Sequence, residues 1–414
     1  MPLRLFLFLC CASGVAAQTT PLSLDDAIRI AWANDPAVAA LSLTPELARA
    51  REEQAGIRPN PEVEFRGSTS APFKNDSEWA VGVGLNQRLP WRERIELARA
   101  LARLGGETAA LHAREQRRHV AGEVRRIYYE AAVHQSRRDI ARRTLEVQRE
   151  LLATVELRRA AGEIPTSEIE LLNGEVMRAT QALAFAEAEY TATTQRLRSR
   201  LRLAADAPLA LGADLDALLT RAIPAEPLAL DSARPALALA AHNVRQAEAA
   251  LALARAETRG DWTVGGGLDF ERRANDFSGR LEDEPRLSVS ASVPWPRTVS
   301  NRGDIREKQA AVRIAAAELA ALRNELTAEI GAALATVRTL QPVLAAHRAS
   351  LAPGVAIPET LRAAYERGEV TILQLAHARQ QRFALETDFL TAAARYATAL
   401  AEAETAAGVV PAQP

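Results

Sequence analysis

Both cysteines of this 414-residue chain, Cys10 and Cys11, fall within its first eleven residues. A protein that loses that segment on export carries no thiol, which excludes a disulfide framework and any cysteine-based metal site. Met177 is the only methionine besides Met1, so a thioether path for copper is missing as well. The histidines, His112, His119, His134, His242, His347 and His377, include no pair at the three- or four-residue helical spacing that zinc ligands favour. Net charge is −1 although a quarter of the residues are charged, so no large basic field draws nucleic acid. Gly82-Val83-Gly84 and Gly265-Gly266-Gly267 lack the following helix start and the Lys-Ser/Thr that cradle a phosphate. No Ser/His/Asp order or paired-carboxylate motif stands out. The residues therefore predict no enzyme, no cofactor, no resident metal and no nucleic-acid partner.

At the N-terminus, Arg4 precedes an apolar run from Leu5 to Cys11 and a small-residue stretch, Ala12 to Ala17. This is the layout of a secretory signal peptide over residues 1–17, with Val15-Ala16-Ala17 as the cleavage signal and a mature chain from Gln18. Cys10 and Leu9 stand where lipidation of Cys11 would want a small residue, which favours simple cleavage.

Past the leader the chain repeats itself. Leu89-Pro90-Trp91 returns as Val293-Pro294-Trp295, and Gly162-Glu163-Ile164 as Gly368-Glu369-Val370, an offset of roughly 200 residues. The halves read as residues 18–230 and 231–414, each a helix, two strands, a long helix, a tip turn (161–166 and 367–371) and a further helix. The strands are expected at Pro61–Ser68, Trp79–Trp91, Asp261–Glu271 and Arg286–Trp295, with outer loops at Ala71–Ser77 and Arg272–Pro285. Within them apolar residues alternate with small or polar ones, as in Trp79, Val81, Val83, Leu85 and Leu89 against Ala80, Gly82, Gly84, Asn86 and Arg88. A soluble sandwich would alternate in the same way. Tryptophan decides between the two: Trp79, Trp91, Trp262 and Trp295 stand at strand ends, where a membrane barrel keeps its aromatic girdles. Four strands cannot close a barrel, since the smallest single-chain ones have about eight, so several copies must contribute.

Between the strand pairs the pattern is helical. Arg92 to Ala160 contains no proline and would extend about 100 Å as one helix. Ser167–Leu203 and Ser232–Thr258 form two shorter helices, and Ile169, Leu172, Val176, Ala179, Leu183 and Ala186 recur at spacings of three and four, a coiled-coil-like seam. The counterpart from Asn301 toward Arg367 carries Pro342, Pro353, Gly354 and Pro358, which predict kinks or a break.

Several short motifs in this order resemble the TolC-like outer-membrane efflux protein family, and within it the CzcC-like heavy-metal branch. They are Leu24-Asp25-Asp26-Ala27-Ile28 with Asn34-Asp35-Pro36, Gly56-Ile57-Arg58-Pro59-Asn60-Pro61-Glu62, Gln87-Arg88-Leu89-Pro90-Trp91, Val293-Pro294-Trp295-Pro296 with Asn301-Arg302-Gly303, and Tyr365-Glu366-Arg367-Gly368-Glu369. Where that branch often carries Gly-Gly-Lys-Arg after the second strand, this chain has Trp91-Arg92-Glu93-Arg94. The resemblance implies a mainly α fold with a membrane β-barrel portion: a long helical periplasmic barrel, four strands per protomer, and a homotrimer closing one 12-stranded barrel in outer-membrane lipid. It implies an exit duct of a tripartite pump in a Gram-negative outer membrane, reaching into the periplasm and carrying heavy-metal cations. Its partners would be a periplasmic adaptor (a membrane fusion protein) and an inner-membrane pump of RND type. Carried over by position, adaptor docking falls on Arg159, Gly162, Glu163, Arg367, Gly368 and Glu369, beside the alternative that Gly162 and Gly368 are simple helix caps. Drug efflux or type I protein secretion by the same fold stands as one alternative function. A soluble periplasmic coiled-coil adaptor or scaffold stands as another.

Overall fold

The computed structural model describes residues 21–70, 78–160, 165–212, 214–224, 234–274, 280–294 and 301–409, without the side chains of 166 and 352–356. The expected signal peptide, residues 1–17, lies outside this range. The helices are α1 Leu24–Asn34, α2 Pro36–Ser42, α3 Thr44–Ala55, α4 Arg92–Ala160, α5 Thr166–Arg200, α6 Leu215–Leu219, α7 Pro235–Ala256, α8 Arg302–Glu366 and α9 Ile372–Ala406. The strands are β1 Glu62–Thr69, β2 Trp79–Leu89, β3 Trp262–Ala274 and β4 Leu281–Ser292.

Two compact units emerge, and each draws on both halves of the sequence repeat. One comprises residues 1–35, 118–226 and 329–414; the other comprises 36–117 and 227–328.

The first unit is helical and conventional in what it buries. Leu151, Val155, Ile169, Leu172, Tyr365, Ile372 and Leu375 form one apolar cluster in which α4, α5, α8 and α9 meet. Leucine, isoleucine and valine at helical spacing supply most of these contacts. Further along, Asn34 Nδ2 donates to the Leu201 carbonyl at 3.0 Å, and Asp35 accepts Arg200 at 2.8 Å. The Asn34-Asp35-Pro36 motif thus ties the end of α1 to the end of α5.

A charged knot lies within this unit. Glu404, 2% exposed, pairs with the guanidiniums of Arg125 at 2.9 Å and Arg221 at 2.8 Å and accepts the Tyr129 hydroxyl at 2.7 Å. Arg125 also donates to Thr405 Oγ1 and, at 2.6 Å, to the Val409 carbonyl. A buried carboxylate surrounded by donors holds where an isolated one would cost several kcal/mol. The knot anchors the end of α9 to α4. Beside it Tyr128 donates to the Leu22 carbonyl, and burial of its hydroxyl pushes its pKa up to about 12.

Three expectations change. The helix predicted to kink or break does not break: α8 is continuous through Pro342, Pro353 and Pro358. Each proline removes its own N–H from the ladder and crowds the carbonyl four residues back, and buried neighbours on either side, Leu334, Val337, Leu344, Ala364 and Tyr365, hold the helix in place. The fourth strand starts at Leu281 rather than Arg286, and the third runs on to Ala274, so most of the expected loop Arg272–Pro285 is strand. Cross-strand charge pairs extend the ladder: Arg272 with Asp283 at 2.6 Å and Arg286 with Glu271 at 3.1 Å. Pro285 stands opposite Phe270 in β4, which has one strand neighbour within the chain. Finally, β2 ends at Leu89, so Trp91 stands just beyond it. The Ala71–Ser77 loop lies outside the described residues.

Candidate functional site

The second unit carries a single antiparallel sheet in the order β1-β2-β3-β4. Its register sorts side chains into two faces. On one, Phe65 stands opposite Val83, Val83 opposite Leu268 and Leu268 opposite Leu287; the next row is Val63, Leu85, Gly266 and Val289. This face is exposed: Val289 is 85%, Phe65 82% and Leu287 78% accessible. Exposed apolar surface on this scale marks a binding or membrane face. From Trp79 to Leu89 is ten steps, about 33 Å along the strand and about 23 Å at a 45° tilt, close to the roughly 25 Å apolar band of an outer-membrane barrel.

The apolar band is bounded at both ends. At one end Trp79 pairs with Arg272, whose guanidinium lies 5.6 Å from the indole centroid. At the other Trp262 pairs with Leu89, and Trp91 Nε1 donates to the Gly260 carbonyl at 2.9 Å. Of the four tryptophans expected in aromatic girdles, three are thus placed at the sheet's two ends, and Trp295 lies outside the described residues.

The opposite face is polar and is shaped by glycine. Arg66 reaches across two strands to Asp269 at 3.1 Å and to Ser288 at 3.4 Å. Asn86 donates to Glu64 at 2.8 Å. A Cβ on Gly82 would strike Asp269, and one on Gly267 would strike Arg66 and Ser288. The glycines that hint at a nucleotide loop are therefore the floor over which this ion pair lies. Sequence alternation finds the faces; it does not find the pair, whose members are 203 residues apart.

Where strands give way to helices, Asp261 accepts Arg88 at 2.8 Å and forms an ion pair with Arg94 at 2.9 Å, while Glu93 takes Arg259 at 2.7 Å. Gln87 Nε2 donates to the Pro59 carbonyl, and a Cβ on Gly56 would overlap the Arg99 guanidinium, which donates to the Gly56 carbonyl. The Trp91-Arg92-Glu93-Arg94 stretch thus serves as a clasp at this junction.

The expected docking residues lie in the first unit. The α8 turn closes with Gly368 N–H on the Tyr365 carbonyl and Glu369 N–H on the Ala364 carbonyl, both at 2.9 Å, with Gly368 at φ +77°. That φ is open to glycine at little cost. Thr371 and Gln374 then form a capping box that starts α9. Arg367 and Glu369 form an exposed two-armed ion pair, 2.7 and 2.9 Å, which holds the Glu369 carboxyl below the usual carboxylate range. Arg159 is exposed in the last turn of α4. Gly162 and Glu163 lie outside the described residues. The apolar cluster around Leu151, Ile169 and Tyr365 brings the ends of both helical hairpins together.

Among the described residues no group of three or more His, Cys, Asp and Glu side chains is placed to hold a metal ion. No described helix is long and apolar enough to cross a membrane.

A four-stranded antiparallel sheet with an exposed apolar face, joined to long helical hairpins, is the fold of outer-membrane channels. The CusC transmembrane channel superposes with a TM-score of 0.71 at 18% identity, covering 93% of this chain and 92% of that one. The open-state outer membrane channel MtrE of Neisseria gonorrhoeae gives 0.70 at 18% identity, covering 93% and 88%. VceC, an outer membrane protein of Vibrio cholerae, gives 0.68 at 13% identity, covering 94% and 96%. No curated relative matches the sequence. Residues 27–201 match the family model described as outer membrane efflux protein. The family and the solved neighbours are outer-membrane channels, not enzymes.

Proposed function

We propose that this chain is the outer-membrane exit duct of a tripartite efflux pump, a homotrimer whose twelve strands close one barrel in the outer membrane. The exposed apolar face of the sheet carries this reading, because residues such as Phe65, Leu287 and Val289 would be a liability in water and are at home against lipid. The two outer strands, β1 and β4, each have one strand neighbour within the chain. Open edges need a partner, and neighbouring copies supply it most simply. Crosslinking of the purified protein checks the assembly: trimers support it, and a monomer in detergent overturns it.

The cargo proposed is heavy-metal cations, on the strength of the CzcC-like motifs. The hairpin turns would dock on a periplasmic adaptor coupled to an RND pump, through Arg159, Gly162, Glu163, Arg367, Gly368 and Glu369. The polar sheet face, with Glu64, Asn86, Arg66 and Asp269, would line the lumen and conduct passively. Metal tolerance of a strain deleted for this gene, scored over zinc, cobalt, cadmium, nickel and copper beside a drug panel, tests the cargo. Sensitivity to one or two metals supports it; sensitivity confined to organic compounds transfers the duct to drug efflux.

A further inference from the structure

Carboxylates inside the helical unit are neutralised where they lie: Glu404 by Arg125 and Arg221, Asp35 by Arg200, Glu175 by Arg178. Arg379, near the start of α9, differs. It is 9% exposed. Its Nη1 donates to the Val147 carbonyl at 3.3 Å, and none of the ion pairs among the described residues includes it. Burial pulls its pKa below the usual guanidinium value. With five N–H groups on a guanidinium, most of its donating capacity is uncommitted.

Two adjoining cavities, about 300 and 140 Å³, flank it and share Thr144, Gln148, Arg379 and Phe383. Gln148 is 6% exposed, and its Oε1 is buried with no hydrogen-bond partner. Buried polar atoms without partners are rare and costly in native proteins. A donor-rich cation and an unsatisfied acceptor therefore line the same space, between α4, α5 and α9.

Water can accept from the guanidinium and donate to the amide oxygen, and so can one kind of small anion, which adds a charge to hold it there. It must offer anionic oxygens to the guanidinium and an O–H to the amide oxygen. A fully ionised oxyanion such as sulfate turns only lone pairs toward Gln148, whereas a protonated one does not. Glu146, Glu150, Glu359 and Glu386, on the wall of the larger cavity beside Arg143 and Arg382, oppose a high negative charge, so selection rests on the hydrogen-bond pattern rather than on a positive field. We infer that the Arg379–Gln148 cavity binds a small protonated oxyanion of the hydrogen phosphate class. An occupant would join α9 to α4 and so tie one helical hairpin to the other. This inference does not depend on the cargo or on adaptor docking.

The test is titration of the purified full chain in detergent with phosphate and with sulfate, at pH 7 and matched ionic strength, followed by calorimetry and thermal unfolding. Phosphate is expected to bind saturably and to raise Tm, with sulfate at least about tenfold weaker, as the loss of one good hydrogen bond dictates. Arsenate, which also keeps an O–H, should follow phosphate on the unaltered protein, a check that needs no variant to fold. Arg379→Gln should abolish binding, and Gln148→Met should leave phosphate and sulfate nearly equal. No saturable binding, or equal binding of phosphate and sulfate to the unaltered protein, overturns the inference.

Discussion

The sheet and the helical unit obey opposite rules for their apolar residues. Around Leu151, Val155 and Leu172 the helices hide aliphatic side chains and admit charge only as a closed knot, Glu404 with Arg125 and Arg221. The sheet exposes Phe65, Leu287 and Val289 and keeps its charges on the reverse face. Both are the hydrophobic effect at work, in two different solvents. Apolar exposure is thus a marker of environment, not of poor packing.

Breaking the knot should have the largest effect. Glu404→Ala strands the buried guanidinium of Arg125, and truncating one partner of a buried pair costs about 3–5 kcal/mol. Thermal unfolding should show a large fall in Tm, and a second change, Arg125→Met, should recover part of it. Next comes the sheet. Leu287→Arg places a charge on the apolar face at a cost of about 2–4 kcal/mol near the bilayer midplane, and should deplete the protein from the outer-membrane fraction. Ser290→Arg, on the polar face of the same strand, should leave that fraction intact. If the two behave alike, the assignment of the faces is wrong.

A smaller effect is expected at alkaline pH. Tyr128 and Tyr129 both hold their protons more tightly when folded, mainly through burial, with Tyr129 also donating to Glu404. Above the unfolded value of about 10 the unfolded chain binds fewer protons than the folded one, so stability falls as pH rises. Denaturation of the helical unit should therefore ease from pH 10 toward about 12, the folded value of Tyr128. Tyr129→Phe should flatten that slope. The smallest change in stability is expected at the turn. Arg367→Ala removes only a fully exposed pair, so Tm should stay unchanged; under the proposed docking, efflux that depends on the adaptor should fall.

The same contrast explains what could be read in the sequence. Alternation at period two reveals the sheet because one whole face is apolar, and α4 is legible because no proline interrupts 69 residues. The start of β4 is not legible. Glu282-Asp283-Glu284 is polar on both faces and resembles a loop until Arg272 and Arg286 are seen across the ladder. Glu404 is equally hidden: an acid in an alanine-rich helix looks solvated, and its partner Arg125 is 279 positions away (404 less 125). For the same reason Arg379 and Gln148 read as ordinary surface residues. Long-range partners, not local pattern, decide all of these sites.

The free edges of β1 and β4 have a genetic consequence. In the proposed trimer no copy is finished alone, so a faulty sheet spoils the barrel of its two neighbours. Expressed equally beside the normal gene, a variant that assembles but cannot conduct would leave only about one trimer in eight wholly normal, given random association in a closed ring. Lesions in the sheet's lumen-facing residues should then be dominant, whereas lesions that prevent assembly, such as loss of the Glu404 knot, should be recessive.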